Sequence, residues 1–312
     1  MPSRSHVVAC VPSVMAARFG DRDPLAEGAE VLRWDGVGRA PERGTDITFW
    51  VPPFLWSPEG LDGVLAALPR LEVIQLTTAG YEQYADRVPA GAVLCNGRGI
   101  HGGSTAEWAL AAMLASLRRI PEFARAQDAR SWDHDRASDE LAGHRVLIVG
   151  AGDLGSNTAR RVRAFDAEPV LVARTAREGV HGMQDLPDLL PDADVVVIVV
   201  PLTEDTAGLV DAAFLRRMRD GALLVNAARG PIVDTDALLA ELTTGRLHAA
   251  LDVTDPEPLP GDHPLWSAPN LLITPHVGGS VPGYPVRAAS LVAAQLRRYA
   301  AGEELANIVV SG

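Results

Sequence analysis

The chain has 312 residues, 47% hydrophobic and 22% charged, which suits two domains of ordinary size and excludes wholesale disorder. A formal net charge of -12, with no Lys/Arg block to offset it, excludes nucleic acid as a partner and makes individual arginines the places to look for an anion site. The longest aliphatic run, Val195–Val200, is far short of the roughly 20 residues of a membrane helix.

In chain order, His6–Val11, Ile47–Val51, Leu71–Leu76 and Ala92–Cys95 read as strands. Leu61–Leu68 reads as a helix with Ser57 as N-cap and Pro58 in the first turn, preceded by an exposed loop, Pro52-Pro53-Phe54-Leu55-Trp56. A long helical stretch is expected over Ser104–Ala129, with Ser104 and Glu107 as a capping box and a kink or break at Pro121. From Arg145 the alternation is regular. Strands are expected at Arg145–Val149, Pro169–Ala173, Asp194–Val200, Ala222–Asn226, Leu247–Leu251 and Leu271–Thr274. Helices are expected at Leu154–Phe165 and Asp234–Thr244, then a final one over Pro285–Ala301 before the apolar Asn307–Val310. Uniformly aliphatic strands alternating with helices predict a doubly wound parallel sheet. The two α/β stretches predict two domains, the second beginning its glycine-rich pattern only after Arg145.

Gly150-Ala151-Gly152-Asp153-Leu154-Gly155 follows a strand and opens a helix. The first glycine permits the turn, the second lets backbone approach a pyrophosphate, and the third lets helix and strand pack closely. The helix N-terminus offers N–H groups and a positive dipole end to the phosphates. Dinucleotide binding is therefore expected. The second strand ends in Ala173-Arg174-Thr175 with Arg177 nearby and no carboxylate at its tip. An arginine there pairs with a 2′-phosphate, so NADP is expected over NAD; an ordinary solvated arginine with NAD bound by other contacts is the alternative.

Arg229, Glu257 and His276 each follow a strand of the second half, where open α/β sheets bind ligands. Arg229 lies in Asn226-Ala227-Ala228-Arg229-Gly230, and Glu257 in Leu251-Asp252-Val253-Thr254-Asp255-Pro256-Glu257-Pro258-Leu259. His276 lies in Thr274-Pro275-His276-Val277-Gly278-Gly279. Asp255 is a competing carboxylate two residues before Glu257. The eight histidines show no ligand spacing, so no metal is expected.

These segments, the glycine turn and Pro201–Leu209 occur in the order and approximate spacing of the D-isomer-specific 2-hydroxyacid dehydrogenases, and the chain resembles that family, most strongly over Gly143–Gly279. The resemblance implies two doubly wound α/β domains. A Rossmann dinucleotide-binding domain over 102–281 would be inserted into a flavodoxin-like substrate domain made of 1–101 and 282–312. It implies hydride transfer between NADP(H) and a small 2-keto or 2-hydroxy acid, D-specific. Arg229 would bind the substrate carboxylate, and His276 would give the carbonyl oxygen its proton. Glu257 would hydrogen-bond the imidazole, fix its tautomer and favour its charged form. Leu76-Thr77-Thr78-Ala79-Gly80-Tyr81 resembles the family loop whose amides bind the carboxylate, with Thr78, Ala79 and Gly80 as substrate-binding residues. Asp252 resembles the family aspartate at the nicotinamide carboxamide. Thr105, Pro201, Thr206, Ala227 and Gly278 join the cofactor set, although a helix-start role is open for Thr105 and a helix N-cap for Thr206.

Phe54, with Trp132 or Tyr284, is expected to meet the substrate side chain. The loop carries no Lys or Arg, which favours a small or apolar 2-keto acid over a phosphorylated substrate or phosphite. Core or dimer contacts are the alternative for Phe54 and Trp56. A homodimer built on Ser104–Ala129, with Trp108, Met113 and Leu117 apolar, is expected by the same resemblance. Two cysteines in apolar runs, Cys10 and Cys95, read as free thiols, and with no membrane-length apolar segment they make a cytoplasmic location the expectation. A phosphite-type dehydrogenase or a nicotinamide-sensing regulatory protein on the same fold are the competing readings.

Overall fold

A computed structural model describes residues 6–19, 29–38, 40–54, 56, 58–132 and 137–312. The chain divides into two compact units, Met1–His101 with Pro282–Gly312, and Gly102–Val281.

The first unit begins with β1 (Val7–Val11), α1 (Ser13–Phe19), β2 (Ala29–Arg33), β3 (Phe49–Trp50) and α2 (Leu61–Ala66). It continues with β4 (Val73–Gln75), α3 (Glu82–Ala85) and β5 (Val93–Cys95). The second unit carries α4 (Gly102–Leu117), α5 (Ile120–Asp128), β6 (Arg145–Val149), α6 (Asp153–Arg163), β7 (Glu168–Ala173) and β8 (His181–Gly182). After these come α7 (Leu186–Leu189), β9 (Val195–Ile198), α8 (Ala212–Arg217), β10 (Leu223–Asn226), α9 (Thr235–Thr243), β11 (His248–Leu251) and β12 (Leu271–Ile273). The chain then returns to the first unit with α10 (Tyr284–Ala301) and β13 (Ile308–Ser311).

In the first unit the sheet order is β13-β5-β4-β3-β1-β2, with β13 antiparallel to β5 and the rest parallel. The parallel part is the flavodoxin-like order. In the second unit the order is β12-β11-β10-β9-β6-β7-β8, all parallel, which is a doubly wound Rossmann sheet extended by one strand. β6 lies at its switch point, between β7 and β9. The central strands are buried along their length, and the helices cover them with two apolar layers, one around Leu147, Val196 and Leu224 and the other around Ile148, Val197 and Val225.

Local details differ from expectation at the α4–α5 joint, at the start of α4 and at β2. The stretch 104–129 is two helices, as an interruption at Pro121 predicts, but the joint lies two residues earlier, at Arg119, whose φ is 56°, and Pro121 sits in the first turn of α5 where its missing N–H costs nothing. α4 starts at Gly102, so Ser104 lies inside its first turn rather than at its cap. A Cβ on Gly102 would lie 1.9 Å from the Asp153 carboxylate, so only a glycine lets the start of α4 pack this closely on α6. α2 is capped by Gly60, and the Ser57 cap lies outside the described residues. β2 went unpredicted because it is an edge strand, with Glu30 and Arg33 breaking any apolar run.

Candidate functional site

The glycine turn follows β6. Gly150 has φ +123°, and a Cβ there would meet the Val199 carbonyl at 2.7 Å; on Gly155 it would meet the Gly150 carbonyl at 1.8 Å. A Cβ on Gly152 would meet nothing within 4 Å. The turn is thus closed on its protein side and open at Gly152, as a pyrophosphate cradle requires. Gly152 caps α6 without a side-chain hydrogen bond, which leaves the first amides to a ligand. Leu154 lies in that first turn, and the Asp153 carboxylate accepts from Asn157 at 3.0 Å. Past β7, Arg174 and Thr175 are exposed, while Arg177 donates to the Ala151 carbonyl at 3.0 Å, placing a guanidinium over the glycine turn. These residues fit a dinucleotide.

Around the edge of the same sheet, the Thr206 hydroxyl donates to the Pro201 carbonyl at 2.6 Å and accepts from the Thr203 amide at 2.8 Å. Thr206 therefore braces a turn, and because α8 starts only at Ala212 it is not a helix N-cap. The Ala227 amide donates to Ile198 at 3.2 Å. Asn226, which sequence reasoning did not single out, holds the turn bearing Arg229. Its Oδ1 accepts from Ala228 N at 3.0 Å, and its Nδ2 donates to the Arg229 carbonyl at 3.0 Å. Gly230 is required next to it, since a Cβ would lie 1.9 Å from the Thr254 carbonyl.

His276 has φ 54°, and its Nδ1 lies 2.7 Å from Glu257 Oε1. A carboxylate accepts only, so Nδ1 carries the proton and Nε2 is left for a reactant. Glu257, rather than Asp255, is the partner. The His276 and Glu257 side chains are both about half exposed. Asp252, 3% exposed, organises this turn: it accepts from Thr274 Oγ1, from Val277 N at 3.0 Å and from Gly278 N at 2.8 Å, while its own carbonyl accepts from His276 N at 2.7 Å. A Cβ on Gly278 would strike Asp252 at 2.8 Å and press on Trp108 and Thr105 of α4. Thr105 thus packs against the His276 turn from inside α4, past the helix start.

In the first unit, Thr78, Ala79 and Gly80 form a loop after β4. Phe54 packs on Tyr284, ring centroids 4.3 Å apart, and on His101 at 5.8 Å. Trp56 instead joins Trp34 and Trp50 at 5.6 and 5.9 Å, so it belongs to the core of this unit. Leu55 lies outside the described residues, and Trp132 is 93% exposed. Tyr284 bonds Thr77 Oγ1 at 2.8 Å, and burial holds its hydroxyl above the ordinary tyrosine range. Met113 of α4 is fully buried in its own unit, which accounts for it without a partner subunit. Among the described residues, no three His, Cys, Asp or Glu side chains are grouped to hold a metal, and no helix is long and apolar enough to cross a membrane.

Residues 110–278 match the family model for the NAD binding domain of D-isomer specific 2-hydroxyacid dehydrogenases. The chain is 34% identical over 254 residues to a glyoxylate reductase of Thermofilum pendens, covering 77% of this chain and 75% of that protein. It is 36% identical over 259 residues to a D-3-phosphoglycerate dehydrogenase of Mycobacterium bovis, covering 80% of this chain and 49% of that one, so it spans about half the length of that relative. Among solved structures, an NADPH-dependent glyoxylate/hydroxypyruvate reductase from Sinorhizobium meliloti, in complex with NADP and sulfate, superimposes with a TM-score of 0.81 at 27% identity, covering 98% of each chain. The chain belongs to the D-isomer specific 2-hydroxyacid dehydrogenase family, and with it to the NAD(P)-dependent oxidoreductases.

Proposed function

We propose that this chain is an NADP(H)-dependent reductase of small or apolar 2-keto acids, giving the D-2-hydroxy acid. The observation that carries the proposal is the His276–Glu257 pair at 2.7 Å, which leaves Nε2 of an oriented imidazole to exchange a proton. When bound, the nicotinamide cofactor supplies the hydride to the keto carbon or takes it back from the alcohol. His276 Nε2 gives its proton to the oxygen as the carbonyl is reduced, and Glu257 stabilises the imidazolium before transfer. In oxidation, neutral His276 takes the hydroxyl proton. Arg229 binds the substrate through its planar donors, and the amides of Thr78, Ala79 and Gly80 take its carboxylate. Phe54 and Tyr284 offer an aromatic wall to its side chain.

Gly150, Gly152, Asp153, Leu154 and Gly155 hold the pyrophosphate segment, and Pro201, Thr206, Ala227, Asp252, Gly278 and Thr105 shape the nicotinamide end. Arg174, Thr175 and Arg177 take the 2′-phosphate. The exposure of Arg174 and Thr175 beyond β7, and the relative bound to NADP, support that preference.

The domain roles follow: 102–281 binds the dinucleotide, and 1–101 with 282–312 binds the acid. We further propose a cytoplasmic homodimer. Exposed Ile120 and Trp266, 55% and 54%, support an apolar contact between subunits, and Cys10 and Cys95 are free and buried as in a reducing compartment. Light scattering should give twice the 33.1 kDa chain mass; the chain mass alone would end that part of the proposal.

The test of function is oxidation of NADPH and of NADH, followed by absorbance, with glyoxylate, hydroxypyruvate, pyruvate, phenylpyruvate and branched 2-keto acids. Turnover with NADPH that disappears in His276→Ala supports the reading, and turnover that survives it refutes the assignment of the acid. Arg174→Ser should reduce the NADPH preference about tenfold or more, roughly the loss of one charge-assisted phosphate contact. An unchanged preference would remove Arg174 from the phosphate site.

A further inference from the structure

The loop after β4 has all of its carbonyls spoken for. Thr77 O accepts from His101 Nε2 at 3.0 Å, and Thr78 O from Gly97 N at 2.6 Å. Ala79 O accepts from Asn96 Nδ2 at 2.9 Å, and Gly80 O from Thr78 Oγ1 at 2.8 Å. None of the amides of Thr78, Ala79 and Gly80 donates to another described residue. Four consecutive carbonyls held by the protein leave a run of amides for a ligand, and consecutive free amides form an anion-binding concavity.

The donors are themselves fixed. Asn96 Oδ1 accepts from Arg98 N at 3.2 Å, which orients the carboxamide so that its nitrogen faces Ala79. His101 must carry its proton on Nε2 to donate to a carbonyl, and its ring stacks on Tyr284, centroids 5.1 Å apart and planes 14° off parallel. Tyr284 in turn bonds the Thr77 hydroxyl, so Thr77 is tied at both its carbonyl and its side chain. Gly97 passes so close that a Cβ would meet Thr77 C at 2.5 Å and Thr78 N at 2.9 Å.

We infer that Asn96 and His101 are positioning residues for the substrate carboxylate: each holds a loop carbonyl so that the loop's amides face the anion. This rests on the proposed role of Thr78–Gly80 as the carboxylate loop. Neither side chain needs to touch the substrate. Their loss should therefore act on binding of the carboxylate and spare the proton-transfer step, which belongs to His276.

The experiment compares Asn96→Ala, His101→Phe and His101→Gln with the parent protein. Phe keeps a ring against Tyr284 and removes the donor, whereas Gln keeps a donor and removes the ring. With a turned-over 2-keto acid, KM should rise roughly five- to tenfold in Asn96→Ala and His101→Phe, the scale of one lost hydrogen bond, with kcat within about twofold. His101→Gln should recover much of the KM.

In parallel, calorimetry measures oxalate binding to the protein alone and saturated with NADPH, and should show the same losses with NADPH affinity unchanged. Equal KM and oxalate affinity in all four proteins would overturn the inference. So would His101→Gln behaving no better than His101→Phe, or NADPH affinity falling in step with oxalate affinity. If no keto acid is turned over by the parent, the proposed activity fails. Oxalate binding weakened by Asn96→Ala and His101→Phe would then still uphold the cradle, and absence of oxalate binding to the parent would sink it.

Discussion

The turn after β4 and the turn after β12 differ in which backbone groups the protein keeps for itself. After β4, side chains and a neighbouring amide hold the carbonyls, and the amides of Thr78, Ala79 and Gly80 are left over. After β12, the buried Asp252 carboxylate collects the amides of Val277 and Gly278, and what is left over is the His276 side chain. The first arrangement presents backbone to an anion. The second spends its backbone on an internal anion in order to aim an imidazole. A turn at the carboxyl end of a strand is thus only a place; its chemistry depends on which polar groups its surroundings have already satisfied.

That contrast predicts unequal sensitivity to mutation. The largest effect should come from His276→Ala, which deletes what the second turn exists to present. It should lower kcat by about 10³-fold, the scale of a lost general acid, with NADPH affinity nearly unchanged. A residual rate within tenfold of the parent would show that another group gives the proton.

Asp252→Ala should come next. It leaves the amides of Val277 and Gly278 without the buried carboxylate that accepts from them and should cost about 2–4 kcal/mol of stability, read as the denaturation midpoint, together with a large fall in kcat. Asp252→Asn keeps one accepting oxygen and should cost less than half of that. If the Ala variant is as stable as the parent, the carboxylate is not what holds the His276 turn.

A smaller effect is expected from Thr78→Val, which removes only the hydroxyl that holds the Gly80 carbonyl. KM should rise a few-fold, for about 0.5–1.5 kcal/mol, with kcat kept. A fall in kcat with unchanged KM would contradict the division of labour between the two turns.

The smallest signal is chemical. Burial pushes the Cys95 thiol, one residue before Asn96, up to about 11, and that of Cys10 up to about 12. Below those values the reactive thiolate is scarce, so both should resist an alkylating reagent at pH 8 and react faster as pH rises. Labelling of Cys95 then follows opening of the strand that carries the first turn's supports. Prompt labelling of both thiols in the native protein at pH 8 would show that this strand is not closed.

Much of the fold was legible because it is local. The aliphatic runs of β6, β9 and β10 and the glycine turn announce a doubly wound sheet through periodicity and through residues whose backbone geometry admits few substitutes. Edge strand β2 was missed because its polar residues break the apolar run, and the joint lies at Arg119, two residues before the expected Pro121, because proline fits a helix's first turn. Arg229, Glu257 and His276 stand out in the sequence because each follows a strand and their joint order resembles that of a known family, and the structure pairs His276 with Glu257. Asn226 and the internal duties of Asp252 and Thr206 do not stand out, since nothing in their spacing tells a residue that braces a turn from one that faces a ligand. The same holds for Trp56, an aromatic in an apparent binding loop that instead completes a tryptophan cluster with Trp34 and Trp50.

By itself, the order of residues determined the two α/β patterns, the glycine turn and the identity of the chemical groups at the strand ends, because these depend on neighbours within a few positions. Only the tertiary structure decided which atoms of each turn remain available. Asn96 lies 17 positions from Ala79, His101 lies 24 from Thr77, and Asp252 lies 26 from Gly278. Hydrogen bonds over such separations depend on how strands are ordered in a sheet, and direction as well as distance must be right for a carbonyl to be held and an amide left over.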